Sequence, residues 1–214
     1  MIKQIRPSIH HLGDQIIWVN SEIEKGRLNF DIELTNGVYN LFPNINWSNT
    51  YTRYDRDFEI NFDCNFTKFD KDKFIECEVP NNPYITIQFD TTQIYNTDLT
   101  PEVKAYRIEE NWRNWILNKY KNLGYQLIDI GGMRWSLEET AYIMSKSQGH
   151  VGASSAFGVF SRCVGVPFTH IYYNCSLRDF MQILPDHFAG YMNLFTKNGI
   201  QHYFKDDNLD LSIN

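Results

Sequence analysis

Hydrophobic and polar positions change rhythm several times along the chain. Ile2 to Arg6 alternates with the period of two that marks a strand, and Pro7, which has no ladder donor, ends it. Ser8 to Asp14 reads as a loop. From Asp14, Ile16, Ile17, Val19 and Ile23 fall at helical spacing and predict a helix ending near Gly26. Leu28 to Leu34 alternates again, with Phe30, Ile32 and Leu34 on one face, until Thr35-Asn36-Gly37 turns the chain. A polar, asparagine-rich stretch covers residues 44–57, and Phe58–Phe66 and Phe74–Val79 are further predicted strands.

Pro80-Asn81-Asn82-Pro83 is the clearest break, and a different rhythm follows it. Tyr84–Phe89 is a compact predicted strand. Thr100-Pro101-Glu102 has the N-cap, N1 proline and early acid of a helix start, and Ala105, Ile108, Trp112, Trp115, Ile116 and Leu123 recur on one helical face before Gly124. Tyr125–Ile130 predicts a second strand, Gly131-Gly132 a turn, and Ser136-x-x-Glu139 a capping box that opens another helix. His150–Gly152 predicts a third strand, Ser154–Val164 a helix, Gly165-Val166-Pro167 a turn, and Phe168–Tyr172 a fourth strand. Strands alternating with helices in this way predict a parallel, doubly wound unit with right-handed crossovers. The first 80 residues are expected to form a smaller unit of the same kind, so the expected fold class is α/β with two small Rossmann-like domains.

Composition sharpens this picture. A chain of 214 residues with 43% hydrophobic and 15% aromatic content is not disordered, and holds one domain or two small ones. The break at Pro80–Pro83 favours two: residues 1–80, residues 81–190, and a tail, 191–214, expected to pack back across the first. A net charge of −6 argues against nonspecific nucleic-acid binding, which needs a dense basic patch. No apolar stretch approaches the ~20 residues of a membrane span, and the first residues lack a signal peptide's apolar run. A cytoplasmic location is therefore expected, with Cys64, Cys77, Cys163 and Cys175 as reduced thiols, since they form no C-x-x-C pair and have no histidine at metal spacing.

In open α/β sheets, ligands bind beyond the carboxyl ends of the strands. Gly152-Ala153-Ser154-Ser155-Ala156 joins a strand to a helix through small residues only, which lets a ligand approach the backbone. Amides at that helix start, with the Ser154 and Ser155 hydroxyls, suit an anion; plain N-capping by Ser154 explains the same residues. Gly131-Gly132 offers a second backbone approach on a neighbouring loop. The first loop holds His10, His11 and Asp14. An acid at a helix start is either a cap or, with an imidazole nearby, a general base. His10-His11 lacks the i, i+4 partner of a helical zinc site, so no metal is expected. Asp55-Arg56-Asp57 and Asp70-Lys71-Asp72 have the Asp-x-Asp pattern of metal-dependent transferases, but lie in charged, turn-like stretches that read as solvated loops. Trp112 and Trp115 read as core packing before a ligand stack.

These segments resemble the GT-B-fold glycosyltransferases, most closely the ADP-heptose heptosyltransferase group, glycosyltransferase family nine. Members open with a strand and a small loop ending in Gly-Asp at a helix start, here Leu12-Gly13-Asp14. Their second domain runs from a strand like Tyr84–Phe89 through a long helix to a loop like Ile130-Gly131-Gly132, and then to an Asp-Thr-Gly helix start. Ser154-Ser155-Ala156 through Pro167 matches that last segment in length and position. Asp-Thr-Gly is replaced here by Ser154-Ser155-Ala156, and the family's histidine three residues later falls on Val159. The resemblance covers Tyr84–Asn174 and, more thinly, Ile2–Gly26, and the first domain is shorter than the family's.

What the resemblance implies is metal-independent transfer of a sugar from a nucleotide-sugar co-substrate to an acceptor hydroxyl, with no other cofactor. Asp14 would be the base, with His11 or His10 as substitutes. Donor contacts would come from Gln88, Gly131, Gly132, Ser154, Ser155 and Ala156, and a basic residue from Lys104, Arg107 or Arg134. The alternatives are a non-catalytic nucleotide- or sugar-binding module and another phosphate-ligand enzyme on the same scaffold, such as a nucleotide-sugar epimerase.

Overall fold

The computed structural model describes residues 12–25, 29–31, 38–43, 46–48, 64–89, 110–132, 134–153, 155–166, 169–172 and 201–203. The expected first strand (Ile2–Arg6), the Thr100-Pro101 helix start and Asp55-Arg56-Asp57 lie outside them. Helix α1 spans Leu12–Glu24, beginning two residues before the expected start. Strands β1 (Asn29–Asp31) and β2 (Asn46–Ser48) pair in parallel, in a two-stranded sheet. A 3-10 turn at Val38–Leu41 lies between them in the chain and buries Val38, Tyr39 and Leu41. Strand β2 sits within the asparagine-rich stretch and is only three residues long.

Among the described residues the main sheet has five parallel strands. They are β3 (Tyr84–Gln88), β4 (Gln126–Asp129), β5 (His150–Ala153), β6 (Thr169–Tyr172) and β7 (Gln201–Tyr203). Their spatial order is β4-β3-β5-β6-β7. Helix α2 (Glu110–Asn122) connects β3 to β4, α3 (Leu137–Lys146) leads to β5, and α4 (Ala156–Val164) leads to β6. The winding moves outward from β3 to β4 and then reverses across β3 to β5, so the two connections leave opposite faces of the sheet. Of the tail, Gln201–Tyr203 is described and forms β7 beside β6.

Each face has its own core. Ile85, Ile87 and Phe89, with Val151, pack with Ile116 and Tyr120 of α2. On the other face Tyr84 and Ile130 join Ala141, Ile143 and Met144 of α3, and Val159, Phe160 and Cys163 of α4. Ile16, Ile17 and Val19 of α1 extend that second core. This alternation along β3 buries the strand on both sides, the pattern of a central parallel strand.

The helix ends follow local chemistry. Ser136 and Glu139 form the expected capping box: Ser136 Oγ accepts from Glu139 N–H at 3.1 Å, and Glu139 Oε2 accepts from Ser136 N–H at 2.8 Å. Gly124 and Gly165 end α2 and α4 with positive φ angles of 86° and 93°.

The expected strand Phe74–Val79 does not form, and most of the expected Phe58–Phe66 lies outside the described residues. The described part of Phe58–Phe66, residues 64–66, is irregular, and Phe74–Val79 is extended without a strand partner. Of the alternating Ile75, Cys77 and Val79, the last two lean on the core beside Phe74, whereas Ile75 is 51% exposed. The backbone meets helix α3 there, with Ile75 N–H donating to Glu138 O at 3.3 Å, and no ladder forms among the described residues. Trp115 also departs from expectation. Ile116 and Tyr120 take the buried face of α2, and Trp115 lies outward under the Lys119 ammonium, 4.9 Å from its ring centre. Nothing is described of the Trp112 side chain.

Candidate functional site

The reversal between β3 and β5 creates a crevice at their carboxyl ends, where α/β sheets place ligands. Four segments meet there: the end of β3 at Gln88, the Gly131-Gly132 turn, the end of β5, and the start of α4. Close approach of β3 and β5 requires Gly152. A Cβ at that position would collide with the Gln88 backbone carbonyl oxygen. The glycine therefore admits a neighbouring strand, where the sequence alone pointed to a ligand.

Ser155, rather than Ser154, is the N-cap of α4. Its Oγ accepts from Phe157 N–H at 3.2 Å and donates to Gln88 Oε1, while Gly158 N–H donates to Ser155 O at 3.1 Å. Gln88 is itself 7% exposed. A Cβ on Gly131 would lie 3.7 Å from Gln88 Cγ and 3.1 Å from Asp129 Oδ1, which accepts the Gly131 amide at 2.9 Å. Gly132 has φ +76° and open space where a Cβ would stand. Arg134 is exposed, two residues beyond that turn.

Helix α1 brings the first candidate loop to the same place. A Cβ on Gly13 would lie 3.3 Å from Ala156 Cα and 3.8 Å from Ala156 N. Seven residues along each helix, Asn20 Nδ2 donates to Cys163 Sγ at 3.8 Å. The same offset at both ends means that α1 and α4 run parallel, in register, with their N-termini side by side. Each terminus carries roughly half a positive charge, so the pair presents about one unit to a shared anion. Parallel neighbouring dipoles repel, and an anion at the paired ends offsets that repulsion. The backbone of Asp14 lies in the first turn of α1.

Residues 64–70 hold this arrangement from the far end. Asn20 Oδ1 accepts Thr67 N–H at 2.5 Å, Phe69 N–H donates to Cys163 O at 2.8 Å, and Lys68 Nζ donates to Arg162 O at 2.6 Å. Cations at the C-terminal end of α4 complement its dipole. Burial pushes the Cys163 thiol up to about 12, so it stays a thiol.

His150 lies beneath the crevice and is fully buried. Thr86 Oγ1 donates to Gly149 O at 3.1 Å, so its 3.2 Å contact with His150 Nδ1 is accepted from the ring. That leaves Nε2 as the unprotonated nitrogen, without a partner among the described residues. It lies 3.3 Å from where a Gly152 Cβ would stand, so the ring leans toward the carboxyl end of β5. Burial lowers the His150 pKa to about 3, opposed by a hydrogen bond with the Thr86 backbone.

The structure thus brings together Gln88, Gly131, Gly132, Ser155 and Ala156, with the Asp14 backbone on the adjoining helix. His10, His11, Lys104, Arg107 and Ser154 lie outside the described residues. Asp70-Lys71-Asp72 is a small turn in which Asp70 Oδ1 accepts Asp72 N–H at 3.1 Å. Among the described residues no three His, Cys, Asp or Glu side chains gather to hold a metal ion. No described helix is long and apolar enough to cross a membrane. Sequence reasoning missed the Thr86–His150 pair and the Gly13–Ala156 contact. Gly13 at a helix start was the one available hint of the latter.

No family model and no curated protein matches this sequence. Solved structures do. The iron-containing dodecameric glycosyltransferase TibC from enterotoxigenic E. coli H10407 superposes with a TM-score of 0.57 at 14% identity, covering 83% of this chain and 59% of that one. The dodecameric iron-containing heptosyltransferase TibC in complex with ADP-D-beta-D-heptose gives 0.55 at 14% identity, with the same coverage. This chain therefore spans 59% of the length of either neighbour. What the likeness establishes is the fold: this chain has the Rossmann-like α/β architecture of GT-B glycosyltransferases.

Proposed function

We propose that the chain binds a nucleotide sugar and transfers its sugar to an acceptor hydroxyl without a metal ion. The observation that carries this reading is the pairing of the α1 and α4 N-termini at the β3–β5 reversal. A diphosphate leaving group develops negative charge as the glycosidic bond breaks, and two aligned helix ends supply fixed positive dipoles where a cation would otherwise act. Gly131, Gly132, Ser154, Ser155 and Ala156 would line the donor side, with Arg134 or Arg107 supplying charge. Asp14, in the first turn of α1, would take the acceptor proton as the hydroxyl attacks the anomeric carbon, with His11 in reserve. Residues 1–80 would serve the acceptor and 81–190 the donor. The heptosyltransferase neighbour holds ADP-D-beta-D-heptose, which supports a nucleotide sugar here.

A second reading has an observation of its own. Val159, where the resembled family has histidine, is 1% exposed in the core and cannot reach a donor. A chain that binds a nucleotide sugar without turning it over would tolerate that change. Calorimetry against a panel of nucleotide sugars, followed by assays for donor hydrolysis, separates the readings. The transferase reading predicts saturable binding and slow hydrolysis, with Asp14→Asn keeping the binding but losing roughly 10²–10⁴-fold in turnover. Binding with no turnover favours the module. Full turnover in Asp14→Asn removes Asp14 as the base.

A further inference from the structure

Gln88 occupies a position that ligand contact alone does not explain. It ends the central strand, is 7% exposed, and spends its side-chain carbonyl on the Ser155 hydroxyl. A serine hydroxyl has one proton. With that proton committed to Gln88 Oε1, an Oγ lone pair is turned toward Phe157 N–H, 3.2 Å away. The chain Phe157 N–H to Ser155 Oγ–H to Gln88 Oε1 thus polarises along one direction, and the cap has a single orientation. On its other side, Gln88 Cγ stands 3.7 Å from the Cβ position of Gly131, and its backbone carbonyl fills the place left by Gly152. One residue therefore sets the spacing between the Gly131-Gly132 turn, the end of β5 and the start of α4.

We infer that Gln88 is the positioning residue of this site. It acts through Ser155, fixing the cap of α4 so that the helix terminus is held ready beside Gly13 in the ligand-free protein. The part of the claim that concerns the cap stands on geometry alone; its consequence for a bound diphosphate rests on the function proposed above.

Hydrogen–deuterium exchange at the Phe157 amide of the ligand-free protein tests the first part, with Gln88→Met, Gln88→Glu, Ser155→Ala and the Gln88→Met/Ser155→Ala double variant. Methionine matches glutamine in length but has no carbonyl; glutamate keeps an acceptor. Exchange is expected to rise about tenfold in Gln88→Met and in Ser155→Ala, with no further rise in the double variant, and to stay protected in Gln88→Glu. Wild-type protection in Gln88→Met, or multiplying effects in the double variant, overturns the assignment. Titration with ADP, GDP and UDP tests the second part. Gln88→Met should weaken the best of the three about tenfold, again without further loss in the double variant. Gln88→Glu should keep the cap yet lose affinity through charge repulsion, a split that a purely structural role would not produce. If the wild-type chain binds none of the three, the proposed function falls while the exchange experiment still decides the role of Gln88.

Discussion

His150 shows how far burial reshapes a side chain in this fold. Its pKa drops to about 3 because burial strips away the water that would solvate a second proton. The unfolded chain, with the ordinary value of 6.5, therefore takes up a proton first as the pH falls. Stability from this residue is complete above that value and is lost as the pH drops toward 3, by about 1.4 kcal/mol for each pH unit. Denaturant titrations between about pH 4 and 6 should show that slope in the wild type, with His150→Gln flattened by the same amount. An unchanged slope in the variant would assign the acid sensitivity elsewhere. None of this was legible in the sequence. His150 reads there as the first residue of a strand, and its environment is made by Thr86 and Gly149, one of them 64 residues away.

At the level of elements, short-range signals read true and long-range ones did not. The capping box, the glycines ending α2 and α4, and the strands β3, β4, β5 and β6 depend on residues within a few positions of each other, and all stand near where the sequence puts them. Ser136→Ala should cost about 1 kcal/mol, measured by thermal unfolding, because the Glu139 amide at the start of α3 loses its acceptor. A loss below a few tenths would mean that the box adds nothing to the fold. Phe74–Val79 reads as a strand from the alternation of Ile75, Cys77 and Val79, yet Ile75 is 51% exposed and the segment has no ladder partner among the described residues. Strand β2 escapes notice because its three residues, Asn46-Trp47-Ser48, are too few to stand out from an asparagine-rich stretch, and its parallel partner β1 lies across the 3-10 turn. Ser154 and Ser155 are equivalent as caps in the sequence; the contacts of Ser155 with Phe157 N–H and Gln88 distinguish them.

For the molecule as a whole, the doubly wound sheet was legible because strand and helix rhythms alternate after Pro83. The assembly of the candidate site was not. It depends on α1 lying parallel to α4, a contact between residues 143 positions apart that no local pattern encodes. That contact is also what makes the site more than a capped helix, since it doubles the positive end presented at the β3–β5 reversal. Gly13 is the hinge of the claim. A leucine there would push against Ala156, at a cost of about 1–3 kcal/mol in stability, and force the two N-termini apart. The most direct measurement is a calorimetric titration of folded wild-type and Gly13→Leu protein with whichever nucleoside diphosphate the wild type binds best. The paired-terminus account predicts saturable wild-type binding and at least a tenfold loss in Gly13→Leu. Equal affinity in the two proteins, or no binding of any nucleoside diphosphate by the wild type, would contradict it.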